Sequence, residues 1–145
     1  MSYTYKYPRP MVTVDAVVFG ECADNSYEVL LIERGSPPFK GHWALPGGFI
    51  DMEETLKESV VRELREETGI DSLELQQFYT FGNPGRDPRG RNITVAFWGK
   101  ELKSRLVPKA GSDAKSYKWF NINKLPQLAF DHNEVIAKAI KAAGL

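Results

Sequence analysis

The sequence is poor in cysteine. Cys22 is the only one, so no disulfide can form within the chain, which fits a reducing compartment. Nothing beside Cys22 would activate it as a nucleophile. Long apolar runs are missing too: no stretch approaches the roughly 18 residues of a membrane span. The opening MSYTYKYPRP lacks the charged start and apolar run of an export signal. These absences predict a soluble, cytoplasmic protein with no membrane partner. Neither sign of charge is in excess, since 19 Lys and Arg stand against 19 Asp and Glu. A general pull toward nucleic acid is therefore not expected, and any phosphate binding must be local. Histidine is scarce as well. His42 and His132 each stand without a second histidine at ligand spacing, and both are expected to be structural.

What is present is enough for one core. A chain of 145 residues with 42% hydrophobic content suits a single domain, taken as residues 1–145 with an arm over 1–10. There is no internal repeat, low-complexity tract or linker. Residues 11–19 and 27–33 are rich in β-branched and aromatic residues and flank the polar ECADNS, which predicts a hairpin. Residues 34–48 carry three prolines and four glycines and read as a loop ending in a backbone turn. A helix is predicted over 54–68, with Gly69 as its left-handed stop. Further strands are expected over 73–81, 92–99 and 115–120, and a last helix from Asp131, where Asp131 and Glu134 have capping-box spacing. Strands mixed with two separated helices indicate an α/β domain.

The helix carries the chemistry. At about 100° per residue, Leu56, Val60 and Leu64 form the core stripe, Glu63 and Glu67 lie on or beside it, and Glu58, Arg62 and Arg65 lie on the far, solvated side. Like charges one turn apart destabilise a helix, and carboxylates in its last turn oppose the dipole. Something must compensate for Glu63 and Glu67. Either lysines and arginines pair with these acids, Arg62 with Glu66 among them, or a hard cation such as magnesium is held by their oxygens. Gly47-Gly48, just before the helix, would let backbone approach such a ligand, so that a main-chain carbonyl joins the carboxylates.

Gly48, five residues, Glu54, seven residues, then Arg62-Glu63-Leu64-Arg65-Glu66-Glu67-Thr68-Gly69-Ile70 resembles the complete signature of the Nudix hydrolase superfamily, with no departure at any defining position. The resemblance implies an α/β/α sandwich around a central mixed sheet. It implies hydrolysis of a nucleoside diphosphate linked to another group, with two or more Mg2+ ions, or Mn2+ in their place. Glu63, Glu66 and Glu67 would ligate the metal, Gly47 would offer its carbonyl, and Arg62 and Glu54 would orient the catalytic helix. Glu63 and Asp113 are the candidates for the base that takes the water's proton, although Asp113, in AGSDAKS, also reads as an ordinary turn residue.

The stretches RPMVTVDAVVF, ERGSPPFKGHWALPGGF, GNPGRDPRGR and LAFDHNEVI are similar to those of bacterial and archaeal ADP-ribose pyrophosphatases. That likeness implies cleavage of ADP-ribose to AMP and ribose 5-phosphate. The alternatives are another nucleotide substrate (a dinucleotide, a sugar nucleotide or an oxidised nucleoside triphosphate) and a non-catalytic sensor of NAD-derived ligands. Such sensor domains are followed by a winged helix, and the 25 residues after Phe120 are too few for one. A small-molecule nucleotide, and no nucleic acid, is the expected partner.

Arg86, Asp87, Arg89 and Arg91 crowd a loop with Pro84, Gly85, Pro88 and Gly90. Arg86 and Arg89 are candidates to fork onto a phosphate or ribose-phosphate, against the plainer reading of exposed turn charges that Arg91 favours. Trp43, Trp98 and Trp119 are expected in the core; one of them, or an N-terminal tyrosine, would hold adenine. The aromatic arm SYTYKYPRP, laid across a second subunit, would make a homodimer.

Overall fold

The computed structural model describes residues 2–109 and 114–145, so Asp113 lies outside the described residues. Every strand expected from the sequence is formed. They are β1 (Met11–Glu21), β2 (Tyr27–Arg34), β5 (Gln76–Phe81), β6 (Asn92–Leu102) and β7 (Ala114–Asn121). The segment read as a loop contains two more, β3 (Trp43–Ala44) and β4 (Gly47–Phe49). Both are too short to show a period in sequence. The Gly47-Gly48 pair is thus strand, paired antiparallel with β1, and not a turn.

The strands form one sheet in the order β3-β2-β1-β6-β5, with β4 also on β1 and β7 also on β2. β1 and β6 are parallel over eleven residue pairs, while the other strand pairs are antiparallel. The sheet is therefore mixed. Side chains alternate across it. Val14, Ala16 and Val18 of β1 pack with Val60 and Leu64 of α1 (Leu56–Thr68). Val17 and Phe19 pack with Val135, Ile136 and Ala139 of α2 (His132–Ala143). A helix covers each face, giving the expected α/β/α sandwich. Trp119 packs against the first cluster and Trp43 and Trp98 against the second, all partly buried.

Both helix starts differ from the sequence reading. α1 begins at Leu56, after the cap Thr55, because Thr55 and Glu58 form a reciprocal capping box; Glu54 stands before the helix. At α2 the expected box is not made: Asp131 holds the cap position but makes no side-chain cap bond. Its carboxylate is taken by Arg86. The stop at Gly69 is as expected, left-handed at φ 76° with its N–H donated to the Arg65 carbonyl.

Candidate active site

The site forms where β4 runs between β1 and α1. Ala16 donates its N–H to the Pro46 carbonyl and Ile50 donates to that of Val12. Residues 46, 48 and 50 therefore face β1, and Gly47 turns its N–H and carbonyl to the other edge. There the Gly47 N–H donates to Glu67 Oε1 at 2.7 Å. A Cβ on Gly47 would collide with the Val14 carbonyl and Asp15 Oδ1, and one on Gly48 would sit 2.6 Å from the Glu63 carboxylate carbon. Only glycines let β4 come so close to both acids.

Arg62 sets Glu63 in place. Its Nε donates to both oxygens of Glu54 at 2.9 Å, Nη1 to Glu63 at 2.9 Å and to Glu66 at 3.3 Å, and Nη2 to the Phe49 carbonyl at 3.3 Å. This corrects the expectation of a solvated Arg62, whose side chain is 21% exposed. The helical projection could not show that Glu54 and the Phe49 carbonyl would fold back over it. The Glu54 hydrogen bond, followed by those of Glu63, raises the Arg62 pKa against the opposing effect of burial. In Glu54, desolvation raises the pKa, but bonds from Ser59 and Arg62 outweigh it and hold the carboxyl low.

Glu63, Glu67, Gly47 and Gly48 share a cavity of about 420 Å³ with Asp15, Arg34, Arg86, Asp87, Arg89, Asn92, Phe49, Phe130 and His132. Glu66 is outside its lining, half-exposed and paired with Arg62. The loop over 82–91 supplies Arg86, Asp87 and Arg89 to the lining. Arg86 is not an exposed turn charge: its side chain is 4% exposed and donates to Asp131 through Nε at 2.9 Å and Nη2 at 2.6 Å. Burial lowers its pKa, but the Asp131 carboxylate more than reverses this. Arg89 grips the buried Asp87 through Nε, Nη2 and its backbone N–H. Burial alone would raise Asp87, yet these bonds, with one from Asn92, hold it down at about 2. The Arg89 guanidinium lies 5.2 Å from the Phe49 ring and 5.5 Å from that of Phe130. Arg91 stays at the surface, donating to the Gly82 carbonyl.

A family model described as the NUDIX domain matches residues 9–142. The chain belongs to the NUDIX family. Its relatives include an ADP-ribose pyrophosphatase of Methanocaldococcus jannaschii, 42% identical over 90% of this chain and 73% of that protein. Another is the ADPR responsive transcriptional repressor NtrR of Acinetobacter baylyi, 36% identical over 92% of this chain but only 54% of the repressor. Among solved structures, the NUDIX domain of Shewanella oneidensis NrtR complexed with ADP ribose is similar at TM-score 0.86 and 34% identity. That match covers 97% of this chain and 94% of that one. A MutT/nudix family protein from Enterococcus faecalis matches at TM-score 0.86 and 33% identity over 99% of this chain and 65% of its own.

As a Nudix hydrolase, the chain has the donors that a hard divalent cation requires. Glu63, Glu67 and the outward carbonyl edge of Gly47 are all oxygen ligands, gathered where a Cβ would fill the space at Gly48. Among the described residues, no three of His, Cys, Asp or Glu gather as a complete metal group.

Several pocket residues were not singled out from the sequence. Asp15 left one signal, an acid in the middle of the apolar run MVTVDAVVF, and it is 6% exposed. Arg34, Phe49 and Phe130 left none, since only the fold brings them together. Phe130 has φ 53°, a left-handed conformation uncommon outside glycine and found where surroundings over-determine the backbone. His132 was expected to be structural, and its ring does hold backbone: Nδ1 accepts the Leu45 N–H at 3.0 Å. It also lines the pocket.

Proposed function

We propose that this Nudix hydrolase cleaves the pyrophosphate of ADP-ribose to AMP and ribose 5-phosphate in the cytoplasm, with magnesium. The observation that carries the reading is that one cavity is lined by both Glu63 and Glu67 and by Arg34, Arg86 and Arg89. Guanidiniums and carboxylates in one lining suit a diphosphate flanked by two sugars, with metal held by the glutamates. The pyrophosphatase relative and the ADP-ribose-bound neighbour support the choice of substrate.

Two or more bound magnesium ions would neutralise phosphate charge and lower the pKa of an attacking water. Glu63 and Glu67, with the Gly47 carbonyl, would hold them, and Glu66 would join from its exposed position. Arg62 holds Glu63 in place, and Glu54 holds Arg62. Arg89, with both aromatic rings beside it, is set to orient a phosphate. Glu63 and Asp113 are the candidate bases. The arm leaves Tyr3, Tyr5 and Tyr7 exposed, and laid across a second subunit it would make a homodimer, which light scattering would test: a monomer at micromolar concentration would remove it.

The test is a hydrolysis screen of ADP-ribose against NADH, diadenosine polyphosphates, sugar nucleotides and 8-oxo-dGTP, with and without chelator, on the protein and on Glu67→Gln. AMP arising chiefly from ADP-ribose, and lost in chelator and in the variant, is the expected result. Preference for another substrate would replace the named reaction and keep the metal site. The repressor relative favours a second reading, a ligand sensor, which binding of ADP-ribose without turnover would select.

A further inference from the structure

In the lining of the cavity a donor and an acceptor lie close without meeting. His132 Nδ1 accepts the Leu45 N–H, so the one proton of the neutral ring sits on Nε2. That nitrogen is 3.7 Å from Asp15 Oδ2, beyond the roughly 3.2 Å reach of an N–H···O bond. Neither side chain is loose. Asp15 Oδ2 accepts from Thr94 Oγ1 at 2.7 Å, and the two side chains are only 9% and 6% exposed. Both line the cavity.

A carboxylate and an N–H that line one cavity without meeting leave hydrogen-bonding capacity that water or a ligand takes up. A ligand group that displaces such a water and answers both atoms donates and accepts from nearly one point. A phosphate oxygen only accepts, so Asp15 repels it; an ammonium only donates, so the imidazole N–H repels it. A hydroxyl does both. The position suits a sugar: Asp15 Oδ1 borders Gly47, whose N–H is held by Glu67, and a furanose is one ester linkage from a phosphate.

We propose that Asp15 and His132 form a subsite for one sugar hydroxyl of the substrate, with His132 Nε2–H donating to the hydroxyl oxygen and the hydroxyl donating to the Asp15 carboxylate. Thr94 and the Leu45 N–H are its positioning partners. The proposal rests on the reading of the substrate as a sugar-linked diphosphate and names how the sugar is recognised.

The test is calorimetric titration of the full chain, in chelator to prevent turnover, with ADP-ribose and with analogues lacking each hydroxyl in turn, first on the nucleoside ribose and then on the other. In the unaltered protein one analogue should bind about tenfold to a hundredfold more weakly, as loss of a hydrogen bond to a charged group implies, and its identity says which ribose meets Asp15 and His132. His132→Asn keeps an acceptor for the Leu45 N–H and, being shorter, removes the donor at the Nε2 position, so it should bind ADP-ribose weakly and treat that analogue the same within about threefold. Asp15→Asn should behave alike; if it fails to fold, His132→Asn decides alone. A penalty for no analogue, or one that persists in His132→Asn, overturns the subsite, while hydrolysis of ADP-ribose with magnesium would still uphold the proposed function. Discrimination without hydrolysis would keep the subsite and remove the hydrolase reading. Neither binding nor hydrolysis would remove both.

Discussion

Glu67 Oε1 accepts the Gly47 N–H at 2.7 Å, joining the last turn of α1 to β4. Glu67 is 7% exposed, and a carboxylate there opposes the helix dipole. The Gly47 amide offsets part of that cost, and the same bond ties together two residues that line the candidate cavity.

The two glycines should fail in different ways. Gly47→Ala places a methyl against the Val14 backbone carbonyl, which cannot move without disturbing the sheet. Urea unfolding should show a loss of about 2 kcal/mol or more. Gly48→Ala meets the end of the Glu63 side chain, which can swing away. It should keep its stability within about 1 kcal/mol and lose turnover by at least about tenfold; an active Gly48→Ala would separate Glu63 from the reaction.

Arg62→Lys should not substitute for arginine. One ammonium cannot reproduce the fork that reaches Glu54, Glu63 and Glu66 together. We expect kcat to fall about tenfold or more with thermal stability lowered only modestly, measured by steady-state kinetics beside calorimetry. Unchanged kcat would show that Glu63 needs no such support.

The Arg86–Asp131 pair latches the loop over 82–91 to the start of α2, and both side chains are largely buried. Arg86→Ala leaves a buried carboxylate alone and should cost about 3 kcal/mol. The double variant with Asp131→Asn should cost less than the sum of the single changes, and additive losses in a double-mutant cycle would refute the coupling.

Burial, opposed by the Asp15 and Asp131 charges, lowers the His132 pKa. An unfolded imidazole takes up a proton as pH falls through about 6.5, and the folded one resists. Stability from this group is intact above that pH and declines below it by at most about 1.4 kcal/mol per pH unit, until the folded ring itself titrates. His132→Asn should flatten that part of the profile in urea melts taken from pH 7 to pH 5. A profile of equal slope would assign the dependence to other groups.

Local order fixed what the chain could announce in advance. The β-branched and aromatic run MVTVDAVVF, the helix ending at Gly69, and the run from Gly48 to Ile70 are near-neighbour patterns, set by strand propensity, left-handed glycine and one-turn spacing. These were enough for the sandwich, the family, and the pairing of Glu63 with Glu67 on the inner side of α1. Tertiary structure decided the rest, because the contacts span the chain. Asp15 meets Thr94 over 79 residues, Leu45 meets His132 over 87, and Arg86 reaches Asp131 over 45. That last bond also cancelled the local capping signal at Asp131: a buried guanidinium needs a carboxylate more than an exposed helix amide does.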